Sequence, residues 1–145
     1  MFEVFPSEIR LKGLDATREF ARRMAEKLPH GSLVLLTGDV GAGKTTFVRA
    51  FAGFFGLADE VTSPTFTLMN EYAGSGVRIC HFDLYRLHTA EDVEDIGALD
   101  FIAGADYAFV EWPEIGEPVF GKNAVRMRFS HGDAEDERVV RVEMP

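Results

Sequence analysis

Eight consecutive residues, Gly38-Asp39-Val40-Gly41-Ala42-Gly43-Lys44-Thr45, have the types and spacing needed to hold a polyphosphate. They fit G-x-x-x-x-G-K-[ST], in which glycines let the backbone turn tightly and aim successive N–H groups into one concavity. The lysine of this pattern brings a point charge to the outer phosphates. The hydroxyl after it can complete the shell of a Mg²⁺ ion that otherwise keeps several waters. A helix beginning at the end of the loop adds unpaired N–H donors and the positive end of its dipole. The segment Asp39 to Thr45 therefore predicts binding of a nucleoside triphosphate.

Two further apolar runs end in a carboxylate: Arg78-Ile79-Cys80-His81-Phe82 runs into Asp83, and Tyr107-Ala108-Phe109-Val110 runs into Glu111. Phosphoryl chemistry on such a loop needs an acidic group that holds the metal, directly or through water, or that orients the nucleophile. The alternative for each is a solvated carboxylate capping the next helix. Thr65, in Ser63-Pro64-Thr65-Phe66, lies where nucleotide switches place a threonine that follows the γ-phosphate and Mg²⁺, although a Ser-Pro-Thr turn is also ordinary loop chemistry. Trp112, directly after Glu111, is either packing or an aromatic wall beside the nucleotide. His30, His81, His88 and His131 share no metal-ligand spacing, and Cys80, inside an apolar run, reads as a buried structural thiol.

These groups need elements to position them. Leu33-Val34-Leu35-Leu36 reads as a buried strand feeding the loop, and Phe47, Val48, Phe51, Phe54 and Phe55 have the spacing of a helix running from Lys44 to about residue 55. Residues 15–28 read as an amphipathic helix with Asp15 as its N-cap, and 90–103 as an acidic helical segment. Strands are expected over 65–72, 77–82, 107–110, 124–129 and 138–143. Strands alternating with helices predict a three-layer α/β sheet, mainly parallel around the nucleotide, with antiparallel strands at its margins. Ligands in such sheets lie beyond the carboxyl ends of the strands, where Asp83 and Glu111 fall.

At 145 residues the chain is read as a single domain spanning 1–145. Its 46% hydrophobic and 27% charged content is that of a soluble globular protein. No apolar stretch approaches the ~20 residues of a membrane span, and with one cysteine the expectation is a reducing cytoplasm. The formal charge of −9, without a Lys/Arg tract, argues against autonomous nucleic-acid binding and favours a protein partner. No Asn-Lys-x-Asp or Thr-Lys-x-Asp box is present to read guanine, which favours ATP. The absence of an arginine-rich lid weakens a metabolite-kinase reading.

Four blocks occur in order: Gly38 to Phe47, Thr62-Ser63-Pro64-Thr65-Phe66-Thr67-Leu68, His81-Phe82-Asp83-Leu84-Tyr85-Arg86-Leu87, and Val110-Glu111-Trp112-Pro113. This succession resembles the TsaE (YjeE) family, ATPase subunits of bacterial tRNA threonylcarbamoyladenosine biosynthesis. The resemblance implies ATP with Mg²⁺, weak intrinsic ATPase activity, and association with a TsaB–TsaD pair, tRNA being met only through those partners. It further implies that Lys44 meets the β- and γ-phosphates, that Thr45 and Glu111 hold Mg²⁺, and that Thr46 contacts the α-phosphate. Asp83 would support hydrolysis, Thr65 would be the switch threonine, Trp112 would lie close to the nucleotide and Thr17 near the adenine. The tail beyond about 120 departs most from the family pattern. Two rivals remain: a small-molecule phosphotransferase using the same loop, and a nucleotide-dependent interaction module in which hydrolysis is incidental.

Overall fold

The computed structural model describes residues 7–39, 41–58, 61 and 68–145. Among these described residues the elements in chain order are β1 (Glu8–Lys12), α1 (Gly13–Lys27), β2 (Ser32–Thr37), α2 (Lys44–Phe54), β3 (Met69–Gly74), β4 (Val77–Asp83), α3 (Ala90–Asp95), α4 (Ala98–Ala103), β5 (Tyr107–Glu111), a 3-10 turn (Pro113–Gly116), α5 (Glu117–Phe120), β6 (Val125–His131) and β7 (Glu137–Glu143). The strands form one sheet in the order β1-β7-β6-β2-β5-β4-β3. The four central strands β6, β2, β5 and β4 are parallel, while β3, β7 and β1 join antiparallel at the two margins. This is the expected α/β class.

Strands β2 and β5 carry continuous apolar runs, 33–36 and 107–110, because both of their faces are covered, while β4 and β6 interrupt theirs with Arg78, His81, Arg126 and Arg128. Val34 and Leu36 of β2, Ile79 of β4, and Tyr107 and Phe109 of β5 enter one core, beneath Phe20, Ala21 and Met24 of α1 and Phe47, Val48 and Phe51 of α2. Their alternates Leu35, Cys80, Phe82, Ala108 and Val110 enter a second core with Val93, Ala98 and Phe120 from α3, α4 and α5. Period-two alternation then decides which strand-end groups face α2. His81 and Asp83 follow Ile79 on that face, and Glu111 follows Phe109.

Several local expectations need correction. Asp15 is not a cap: α1 already begins at Gly13, and Asp15 lies in its first turn, paired with Arg18 at 3.4 Å. The acidic segment is two helices, because Gly97 adopts φ +76° and ends the register between α3 and α4. Thr89 caps α3 by a capping box with Asp92, which uses part of the acidic run that composition read as a solvated face. Phe54 is 47% exposed, so the apolar stripe of α2 ends at Phe51 and the half-buried Phe55. Strand β3 starts at Met69; the part of the expectation covering 65–67 lies outside the described residues. Strand β1 was not expected: its alternation shows only Leu11 fully buried, too weak a period to stand out before β7 is there to pair with it.

Candidate functional site

The turn after β2 is built on glycines whose backbone no other residue adopts comfortably. Gly38 has φ +136°, and a Cβ there would meet the Phe129 carbonyl oxygen of β6 at 2.4 Å, so the loop passes that strand with no room for a side chain. Gly43, at φ +106°, stands immediately before α2. Ala42 N–H bonds the Asp39 carbonyl at 3.0 Å, and Phe47 N–H bonds that of Gly43 at 2.9 Å. Lys44, the first helical residue, is only 5% exposed. Its ammonium donates to the Gly38 carbonyl at 2.6 Å and lies 4.0 Å from the centre of the Trp112 ring. Burial pushes the Lys44 pKa down, against the pull of Glu111, Asp83, Glu114 and Asp39. A cation kept short of water in this way is primed for an anion.

Asp83 and Glu111 are direct neighbours across β4 and β5. Their surroundings differ. The Glu111 Oε2 accepts from the Thr45 hydroxyl at 3.2 Å and faces His81 Nε2 at 2.6 Å. The Asp83 Oδ1 accepts from the Tyr85 N–H at 2.9 Å, a local turn, so it does not cap α3, which has Thr89 for that purpose. Burial raises the Asp83 pKa; the Tyr85 bond offsets this, and the Glu111 charge adds to it. Trp112 takes φ +55°, one of two non-glycine residues with positive φ among the described residues. That turn swings its ring between Lys44 and Tyr85, whose ring centre lies 5.2 Å away.

Lys44, Asp83, Tyr85, Glu111 and Trp112 line a cavity of about 600 Å³, large enough for a nucleotide. Of the residues singled out from sequence, Thr17, Gly41, Gly43, Lys44, Thr45, Thr46, Asp83, Glu111 and Trp112 line it. Asp39 is exposed and Ala42 is buried, and neither lines it; Val40 and Thr65 lie outside the described residues. Thr17 is 8% exposed, and its hydroxyl lies 3.4 Å from the Gly13 carbonyl. Sequence reasoning missed a further part of the lining, formed by Leu11 and Gly13 with Phe129, Asp136 and Arg138. The Gly13 N–H bonds the Asp136 carbonyl at 3.0 Å, joining the start of α1 to the turn before β7. No spacing in the chain signals an approach across more than a hundred residues.

A family model described as threonylcarbamoyl adenosine biosynthesis protein TsaE matches residues 11–140. The tRNA threonylcarbamoyladenosine biosynthesis protein TsaE of Synechocystis is 41% identical over 111 residues, covering 74% of this chain and 70% of that protein. Its namesake in Rickettsia conorii is 38% identical over 106 residues, 72% of this chain but 60% of the relative. The Bacillus subtilis protein of that name is 32% identical over 126 residues, covering 87% of this chain and 78% of its own. The crystal structure of YdiB from Bacillus subtilis has a TM-score of 0.74 at 26% identity, covering 95% of this chain and 85% of that one. The mixed sheet, the glycine-built loop and the paired strand-end carboxylates are thus features of a chain that belongs to the TsaE family.

Proposed function

We propose that this chain binds ATP with Mg²⁺, hydrolyses it slowly, and serves as an accessory subunit of tRNA threonylcarbamoyladenosine biosynthesis, acting on a TsaB–TsaD complex. One observation carries the reading. A buried lysine, a threonine hydroxyl and two adjacent carboxylates converge beside a glycine-built loop, in a nucleotide-sized cavity.

In this reading Lys44 exchanges the Gly38 carbonyl for the β- and γ-phosphates, and Thr46 meets the α-phosphate. Thr17 lies on the adenine side and Trp112 walls the phosphates. Thr65 takes the part of the switch threonine. The hydroxyl of Thr45 and the carboxylate of Glu111, 3.2 Å apart, are hard oxygen donors suited to Mg²⁺. Among the described residues no group of three metal-ligating side chains exists, which fits a metal held mainly by phosphates and water. When bound, Mg²⁺ would neutralise charge on the phosphate oxygens. Asp83 orients the attacking water and can accept its proton, for which a raised pKa is favourable. Water oxygen bonds the γ-phosphorus as the bond to the leaving ADP oxygen breaks.

The lining of the cavity supports slow turnover in this reading. Among the described residues Arg138 is the one arginine that lines the cavity, and its Nη1 already donates to the carbonyls of Glu135 and Glu137 at 2.8 and 3.0 Å. Extra charge stabilisation is then left for a partner to complete. The test measures ADP and free phosphate release with and without a purified TsaB–TsaD pair and tRNA. Stimulation by the pair is expected. Absence of both binding and stimulation would remove the accessory-subunit reading, and phosphate passed to a metabolite hydroxyl would favour a phosphotransferase.

A further inference from the structure

Four polar or charged side chains are buried among the described residues: Thr17, Lys44, His81 and Glu111. Three of them line the cavity, but His81 does not, and it is 0% exposed. A buried imidazole is costly unless both nitrogens are satisfied, and a leucine would fill the same core space without that cost. Both nitrogens have partners: the Tyr72 hydroxyl lies 3.0 Å from Nδ1, and Glu111 Oε2 lies 2.6 Å from Nε2. A carboxylate can only accept, so Nε2 carries the proton and Nδ1 accepts from Tyr72. The three side chains stand on the neighbouring strands β3, β4 and β5 and form one line ending at the phosphate site.

Both donors recorded for Glu111, His81 and Thr45, meet the same oxygen. Among the described residues no donor reaches Oε1, leaving it for the cavity. The geometry points to His81 as a positioning residue: anchored by Tyr72, it fixes the Glu111 carboxylate in the orientation that holds the Mg²⁺ of the bound nucleotide. The inference rests on the proposed ATP function. Groups that orient a metal-binding side chain typically affect metal affinity or activity about 10- to 100-fold when lost.

The test compares His81→Gln, whose amide nitrogen falls where Nε2 stands, with His81→Asn, whose amide falls where Nδ1 stands. Both are polar and buried alike, so they share the structural burden and differ in reach to Glu111. Calorimetry on the full chain measures ATP affinity in EDTA and again with Mg²⁺. In EDTA the variants should match wild type within about threefold, because the phosphate loop is untouched. With Mg²⁺, the affinity gained by wild type should survive in the glutamine variant and fall about tenfold or more in the asparagine variant, with turnover in the same order. Equal gains in the two variants, or parallel losses in EDTA and Mg²⁺, would overturn the role. If the asparagine variant does not fold, Tyr72→Phe replaces it: its Mg²⁺ gain should fall about threefold, and an unchanged gain would overturn the inference. Wild type that binds no ATP would instead defeat the nucleotide reading, and this inference with it.

Discussion

Replacing Gly38 by alanine tests how the phosphate loop is built, and Gly41→Ala supplies the internal control. At Gly41, with φ +82°, a Cβ meets nothing within 4 Å, so alanine bears only the conformational cost, about 1–2 kcal/mol. At Gly38, with φ +136°, the same methyl group would lie 2.4 Å from a backbone carbonyl oxygen of Phe129, which cannot rotate away. The dihedral costs about 1–3 kcal/mol and forced overpacking about 1–3 kcal/mol more, giving about 4 kcal/mol in total. The two variants should therefore differ by about 2–3 kcal/mol. For a chain of 145 residues this corresponds to melting points lower by about 12 °C for Gly38→Ala and about 4 °C for Gly41→Ala. Urea denaturation without nucleotide isolates the effect, since ligand linkage would add its own stabilisation. Gly38→Ala should also weaken ATP binding, because the Gly38 carbonyl that receives Lys44 moves with it. Equal destabilisation within about 0.5 kcal/mol, well inside the expected gap, would refute the close passage of loop and β6.

Lys44→Ala should raise the Kd for ATP about 10- to 100-fold by calorimetry, the worth of a charge-assisted contact; unchanged affinity would contradict the assigned loop. Asp83→Asn should abolish most hydrolysis while stabilising the folded chain at neutral pH. Burial raises the Asp83 pKa, so the folded state favours the protonated acid, and wild type loses stability relative to the variant as pH rises through the folded pKa. The advantage should stay within about 1 kcal/mol, because the half-buried carboxylate keeps some of its water, and should vanish in denaturation curves below the ordinary aspartate value of 3.8. Trp112 is the only tryptophan and has an ammonium over its ring, so ATP should change its emission as Lys44 turns to the phosphates; adenosine, lacking phosphates, should leave it unchanged.

What sequence made legible was local. The phosphate loop and both strand-end carboxylates are encoded by short runs, and the parallel centre by the apolar runs of β2 and β5, buried on both faces. What it hid was contact between distant segments. Strand β1 exists because β7 pairs with it, Glu8 opposite Arg141 through Lys12 opposite Glu137. The cavity wall of Asp136 and Arg138 depends on that pairing, which folds the tail against Gly13. His81 was passed over for a different reason. Metal-ligand spacing asks whether histidines cluster along the chain, whereas His81 meets its partners across strands, nine and thirty residues away. A usable signal was present: a polar residue in a run otherwise buried on both faces, two positions before a strand-end acid.

The different surroundings of the two carboxylates bear on how the proposed reaction would divide between them. Side by side, two acids with equal environments would compete for one cation and one proton. Here Glu111 is held by the imidazole and the Thr45 hydroxyl, two donors that fix the orientation of its carboxylate. Asp83 has, among the described residues, a single backbone donor, and its raised pKa makes proton acceptance easier. Environments that differ in this way assign roles in acid–base pairs generally. Under the proposed function Glu111 is therefore the metal-holding group and Asp83 the one that handles water. Exchanging them, as Asp83→Glu with Glu111→Asp, should not restore activity: the shorter acid on β5 would withdraw from both donors, and the longer one on β4 would displace the water it must orient.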